Sequence, residues 1–314
     1  MRKIHLVSLA SNILEINFVK GKDVENIEVI TKKNTYISSK AINIGYILNN
    51  MQVRTNLYVA YGQCDYSFEG LNTEFRNVRL YPTTKRTKRN KVFIFPNNKC
   101  ITRWDIDGYN SISLNANKIK NDVINNVKEE DIVVLAGRIG PTMDIEWYKD
   151  FIIELNKKKV LVFLDTSGKG MLESVNASPF YIKPNEDEIK ELIGEYKISD
   201  LPKRAKEIAI ENSIENVNIT IGEKGVVSYN LSSDKCLLIK PTTEINKPYS
   251  TIGCGDSFNS GFIWGFINNK NFEECVKLGV SFGTANVIDG FPSKITIETV
   301  KKCYDNLIIE EIIV

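Results

Sequence analysis

Histidine is nearly missing from this chain: His5 is the one histidine in 314 residues. That scarcity excludes histidine-based catalytic triads and histidine-rich metal sites, so any proton transfer falls to a carboxylate, lysine, tyrosine or cysteine. His5, at the start of an apolar segment, reads as a structural residue. The six cysteines lie far apart with no C-x-x-C pair, which argues against a disulfide framework or a zinc site and for reduced thiols. An excess of one charge is lacking as well, because 41 basic side chains face 39 acidic ones. A net charge of +2 provides no general attraction for nucleic acid or an anionic membrane, so any anion must be bound locally. No apolar run reaches the roughly 18 residues that span a bilayer. The opening MRKIHLVSLASNILEINF is broken by Ser8, Ser11, Asn12 and Glu15, and fits a first β-strand better than a signal peptide. The expectation is a cytoplasmic protein.

What is present is ordinary globular composition, 42% hydrophobic and 25% charged, without low-complexity tracts. From residue 131 onward apolar runs alternate with helical periodicity. DIVVLAG (131–137), KVLVFLDTSG (159–168) and FYIKPN (180–185) read as strands covered on both faces, each followed by a helix. This rhythm predicts an α/β fold with a central, mostly parallel sheet and helices on both faces. ENVNITIGEKGVVSYNL reads as a hairpin around Gly-Glu-Lys-Gly, and the chain is expected to close with two helices, the second over TIETVKKCYDNLII. Extended pieces within residues 15–38 and 88–106, the latter holding a Pro96-Asn97-Asn98 turn, fall outside the βα rhythm. They are expected to form a small β lid inserted into a single domain spanning residues 1–314.

The most informative stretch is STIGCGDSFNSGF (250–262). Phe258, Phe262 and Phe266 recur every four residues, so a helix begins near Asp256, and Gly261 and Gly265 would let another backbone approach. Gly253 and Gly255 remove side chains where backbone N–H groups can turn toward an anion at a helix N-terminus. Asp256 is either a helix-capping carboxylate or a base taking a hydroxyl proton while those N–H groups stabilise a phosphoryl group. Asn185-Glu186-Asp187-Glu188 is likewise either a capping box or a pair of hard oxygen donors. Gly222 and Gly225 are either hairpin glycines or part of a nucleotide loop. The run KRTKRNK (85–91) is either a solvated edge or an anion grip. Neither the Walker pattern nor G-x-G-x-x-G is present.

Thr251-Ile252-Gly253-Cys254-Gly255-Asp256-Ser257 resembles the T-x-G-A-G-D signature of the ribokinase-like (pfkB-type) carbohydrate kinases. LDTSGKGML with PFYIKPNEDEIKELIG resembles the branch containing 1-phosphofructokinase and tagatose-6-phosphate kinase, and TIGEKG, SSKAINIGYIL and LAGRIGPTMDIEWYKDFI match further family segments in order. The resemblance implies an ATP- and magnesium-dependent kinase acting on a hydroxyl of a sugar phosphate. It implies Asp256 as base and Gly253, Cys254 and Gly255 as the anion hole. It places Lys183, Asn185, Thr220, Gly222, Gly225, Thr251 and Gly283 on the nucleotide, and Asn185 and Glu188 on Mg2+ through water. It places Asn12, Lys40, Asn43, Lys88, Asn90 and Arg138 on the acceptor, with Lys40 and Lys88 on its phosphate, and implies a dimer formed through paired lids.

The departures from the family pattern cluster. The family's sugar-binding aspartate falls on Leu14, leaving Asn12 as the substitute on the same strand face, whereas Glu15 points the other way. G-G-K-G becomes Ser38-Ser39-Lys40-Ala41, and Arg138 replaces a small hydroxyl residue. All three lie in the acceptor half. They leave open a kinase for a non-phosphorylated sugar or nucleoside, and a nucleotide-binding regulatory protein with a degenerate acceptor site.

Overall fold

The structure, a computed structural model, describes residues 2–21, 27–62, 66–83, 86–95, 101–106, 113–140, 143–243, 251–290 and 295–314. Lys85 of the basic run and the Pro96-Asn97-Asn98 turn lie outside the described residues. The first half holds β1 (Ile4–Ser8), β2 (Asn12–Gly21), β3 (Ile27–Ser38), α1 (Lys40–Asn50), β4 (Thr55–Gly62), α2 (Leu71–Glu74), β5 (Asn77–Thr83), β6 (Lys88–Ile94), β7 (Ile101–Ile106) and α3 (Ser113–Asn126). Regular βα alternation follows with β8 (Ile132–Ala136), α4 (Trp147–Lys157), β9 (Leu161–Asp165), α5 (Lys169–Val175), β10 (Tyr181–Ile182), α6 (Glu186–Ile193) and α7 (Leu201–Asn212). The chain finishes with β11 (Asn216–Thr220), β12 (Val226–Asn230), β13 (Lys235–Pro241), α8 (Cys254–Ile267), α9 (Phe272–Asp289), α10 (Ile297–Tyr304) and β14 (Leu307–Ile312).

The main sheet runs β14-β13-β12-β11-β10-β9-β8-β1-β4-β5. Every pairing from β11 to β5 is parallel, and the three from β11 out to β14 are antiparallel. The continuous apolar strands have the expected cause. In β8, Val133 and Leu135 enter the core beneath α3, α4 and α7, while Ile132 and Val134 enter the opposite core beneath α1, α8 and α9. Gly261 does admit a neighbouring backbone: a Cβ there would overlap the Leu278 carbonyl of α9, and one at Gly265 would stand 3.2 Å from Cys275 Cα.

The lid is a separate four-stranded sheet, β3-β2-β6-β7, with β2 and β6 parallel, Asn12 opposite Lys88 and Leu14 opposite Asn90. Two expectations need correction. The last helix ends at Tyr304 rather than running through LII; Leu307–Ile312 instead pairs antiparallel with β13, because its β-branched isoleucines favour the extended conformation at the sheet margin. FYIKPN contributes only two strand residues, since Pro184 cannot donate to a ladder. Cys236, Cys254, Cys275 and Cys303 are free thiols. No helix among the described residues is long and apolar enough to cross a membrane.

Candidate active site

Parallel strands deliver their C-terminal ends to one edge, where loops and helix starts gather. At the end of β1, Ser8 Oγ donates to Ser39 Oγ at 2.7 Å, and Ser39 caps α1 by accepting from Ile42 N. Helix α1 therefore starts at Lys40, and its first turn projects Lys40 and Asn43 into the cleft. Ser38 Oγ donates to Asn43 Oδ1 at 3.1 Å, which orients the amide so that Nδ2 donates to Asp256 Oδ2 at 2.7 Å. The two serines that replace family glycines thus build the cap and fix the amide.

At the end of β9 stands Asp165, 1% exposed. Its oxygens accept from Lys40 Nζ at 2.6 Å and Asn259 Nδ2 at 2.6 Å, and Lys183 Nζ lies 3.8 Å away. Burial opposes its ionisation, but Lys183, Lys40 and Asn259 outweigh burial and hold its pKa below the usual carboxylate value. The Lys40 ammonium, also 3.7 Å from Glu188 Oε1, stays protonated despite burial because of Asp165 and Glu188. The Lys40 charge is thus paired with two carboxylates at the centre of the cleft. Asp165 is absent from the residues expected from sequence, although a carboxylate ending an apolar parallel strand just before a glycine turn marks it.

Asp256 lies in the first turn of α8 and is buried. Burial and the neighbouring Asp165 push its pKa up to about 6, against the pull of Lys40, Asn43 and Lys183. A carboxylate with that pKa is ionised at neutral pH yet basic enough to accept a proton. Gly253 adopts φ 84°, and the Cys254 N–H is spent on Thr251 O at 3.2 Å while Ser257 N reaches Gly253 O. Within the first turn of α8 the N–H groups of Gly255 and Asp256 have no backbone partner among the described residues, so they are open to an anion. A Cβ on Gly255 would stand 3.1 Å from Lys183 Nζ, so glycine keeps that approach open.

Beside this centre is a cavity of about 770 Å³. It brings together Asn185, Thr220, Gly222, Gly225, Thr251 and Gly283, six of the seven residues expected on the nucleotide, with Phe258 and Val280 among its apolar walls. Gly222 and Gly225 have φ of 58° and 97°, and a Cβ on Gly225 would overlap the Ile239 carbonyl oxygen. Thr243 Oγ1, in the same wall, is buried without a hydrogen-bond partner among the described residues. A flat base fits the apolar part, and the orphan hydroxyl provides a polar contact. Lys183 Nζ lies close to Gly255 in the wall of this cavity and 3.8 Å from Asp165.

Asn185 and Glu188 form a full capping box: Asn185 Oδ1 accepts from Asp187 N and Glu188 N, and Glu188 Oε2 accepts from Asn185 N at 3.0 Å. Those oxygens are occupied, which leaves Glu188 Oε1 facing Lys40. No group of three or more His, Cys, Asp or Glu residues among the described residues could cage a metal. The donor set suits a hydrated ion held through water rather than direct ligation.

The face of the small sheet expected to meet the acceptor is apolar at its base. Leu14 packs with Ile16, Val92 and Ile94, and Ile252 of the signature loop packs against them, so this lid face looks onto the transfer centre. Asn12, Lys88 and Asn90 share the face by register, and Asn12 Oδ1 is buried without a hydrogen-bond partner among the described residues. Glu15 does point the other way, to Lys33 at 3.0 Å, Arg89 at 3.8 Å and Lys91 at 3.9 Å. Arg138 is exposed after β8 and donates to Ser167 Oγ at 3.3 Å, two residues from Asp165.

The chain matches pfkB family carbohydrate kinase over residues 77–289, more than half its length. It is 23% identical over 292 residues to a 1-phosphofructokinase of Borreliella burgdorferi, covering 92% of each chain. It is 28% identical over 178 residues to a tagatose-6-phosphate kinase of Staphylococcus epidermidis, covering 55% of this chain and 56% of that protein. Its fold superposes on phosphofructokinase-2 from Escherichia coli in complex with substrates and products with a TM-score of 0.87, 19% identity, and coverage of 97% and 99%.

Proposed function

The chain belongs to the pfkB family of carbohydrate kinases, and on that premise we propose that it transfers the terminal phosphoryl group of ATP to a hydroxyl of a sugar phosphate. The observation that carries this reading is the convergence of a raised-pKa carboxylate, two free helix-start N–H groups and a nucleotide-sized cavity at one edge of the sheet. Asp256 takes the proton of the acceptor hydroxyl as its oxygen attacks the phosphorus, and the bond to the leaving ADP oxygen breaks. The N–H groups of Gly255 and Asp256 receive the charge on the moving phosphoryl oxygens. Asn43 holds the base in position from its Oδ2 side. Lys40 and Lys183, fixed by Asp165, set the positive field in which the phosphates lie.

Asn185 and Glu188 are suited to hold Mg2+ through its waters, and the ion supplies neutralisation of the nucleotide phosphates. On the acceptor side, Asn12, Lys88 and Asn90 share the face of a largely apolar base, and Arg138 follows β8, which fits a sugar phosphate held by its charged end rather than by many hydroxyl contacts. The lid shields the cleft from water. Val29 and Ile30, half-exposed on its margin strand β3, favour pairing with a second lid. The decisive experiment measures ADP release against hexose and pentose phosphates, with Asp256→Asn as the control. Turnover stimulated by one acceptor and abolished in the variant is expected; no stimulation by any acceptor above the variant overturns the proposal.

A further inference from the structure

A second cavity, of about 290 Å³, opens at the N-terminal ends of β1, β4 and β5, the opposite edge of the sheet from the transfer centre. Its walls carry Lys3, Arg76 and Arg79 together with the carboxamides of Asn56 and Asn126, and no carboxylate. No ion pair among the described residues involves those three cations. Asp131, nearby, accepts from the backbone N–H groups of Lys3 and Lys128 at 2.8 and 2.9 Å and stands 3.6 Å from His5 Nε2, so its charge is already engaged. Arg79 is held ready: Nη2 donates to Asn126 Oδ1 at 3.2 Å, and its guanidinium lies 5.6 Å from the Tyr58 ring centre. His5, 1% exposed, lines the cavity and meets Tyr58 Oη through Nδ1 at 3.2 Å.

We propose that this cavity is a second anion site, built for a phosphate-sized oxyanion such as inorganic phosphate or the phosphoryl group of a small metabolite. Three cations line the cavity against the single carboxylate of Asp131 beside it, so an oxyanion among them gains charge-assisted hydrogen bonds, the Arg79 donors being already placed. The site is independent of the catalytic reading. It is also joined mechanically to the transfer centre, because β1 carries His5 near one end and, at the other, Ser8, which holds the Ser39 cap of the helix bearing Lys40 and Asn43.

The lone histidine makes the test direct. The imidazole Cε1–H signal of His5 is the only histidine resonance in the proton NMR spectrum of the full chain, and it sits on the cavity wall. Titrating inorganic phosphate is expected to move that signal saturably, whereas sodium chloride at matched ionic strength does not. In Arg76→Gln/Arg79→Gln the phosphate concentration at half-shift is expected to rise at least tenfold, with ATP turnover in phosphate-free buffer unchanged. Arg76→Gln alone, an exposed side chain, provides the same comparison if the double variant does not fold, with a several-fold rise expected. A signal that does not saturate, or an unchanged half-shift concentration in the variants, overturns the proposal; the second outcome would place the responding phosphate at the transfer centre.

Discussion

Asn43 and Asp256, 213 residues apart in the chain, meet through a single 2.7 Å hydrogen bond from amide to carboxylate. The bond secures a base that burial holds at a pKa of about 6, well above its ordinary 3.8.

That elevation makes Asp256→Asn a variant with opposite effects on rate and stability. Turnover should fall by about 10²- to 10⁴-fold, the usual contribution of a general base. The folded chain binds the proton more tightly than the unfolded chain, so above pH 6 the ionised carboxylate costs about 3 kcal/mol of stability. The variant should therefore melt at a higher temperature than the wild type at pH 8. The difference should shrink as pH falls from 6 toward 4. Thermal denaturation at several pH values measures this, and a variant less stable at pH 8 would contradict the assigned burial of charge.

The same carboxylate sets the acid limb of activity. kcat/KM should be constant near pH 8 and decline about tenfold per pH unit below about pH 6, as Asp256 becomes protonated. A profile flat down to pH 5 would remove Asp256 from the role of base.

Asp165 anchors Lys40 and Lys183 simultaneously. Asp165→Asn leaves two ammonium groups beside a neutral amide, and should cost about 3–5 kcal/mol. Adding Lys40→Met should recover part of the loss, because the second change removes one of the uncompensated charges. Urea denaturation of the two single variants and the double variant reads this coupling directly.

Gly283 tests the nucleotide cavity by size. A Cβ there meets Cys254 O at 3.4 Å, an ordinary contact, so Gly283→Ala should leave the KM for ATP nearly unchanged. Gly283→Phe should raise that KM more than tenfold with little change in the KM of the acceptor. Equal increases in both constants would instead indicate a general disturbance of α9.

The sequence makes the main sheet legible because β8 is apolar throughout and β9 is apolar up to its closing Asp165, a pattern that buried parallel strands require. The nucleotide side is also legible, since Gly222, Gly225 and Gly253 stand where positive φ is needed and their spacing carries information. The acceptor side is harder to read. The functions of Ser38 and Ser39 depend on partners at Asn43 and Ser8, and a loss of glycine says nothing of a gained cap. Lys40 could be placed in the cleft from its motif, but its pairing with Asp165 arises only when α1 packs against the end of β9, 125 residues away. β14 is not legible in the sequence because LII continues a helical apolar pattern equally well, and only the free margin of β13 decides between them.

The thiol of Cys254 begins the helix that carries the base, yet burial pushes its pKa up to about 11. At pH 7 only about one in 10⁴ of these side chains is thiolate, the form that attacks electrophiles and peroxides. Cys236 and Cys303 are likewise raised to about 11 and Cys275 to about 12. With the Cys254 thiol so strongly protonated, covalent thiol-directed compounds are expected to find little purchase at the residue beside the catalytic loop.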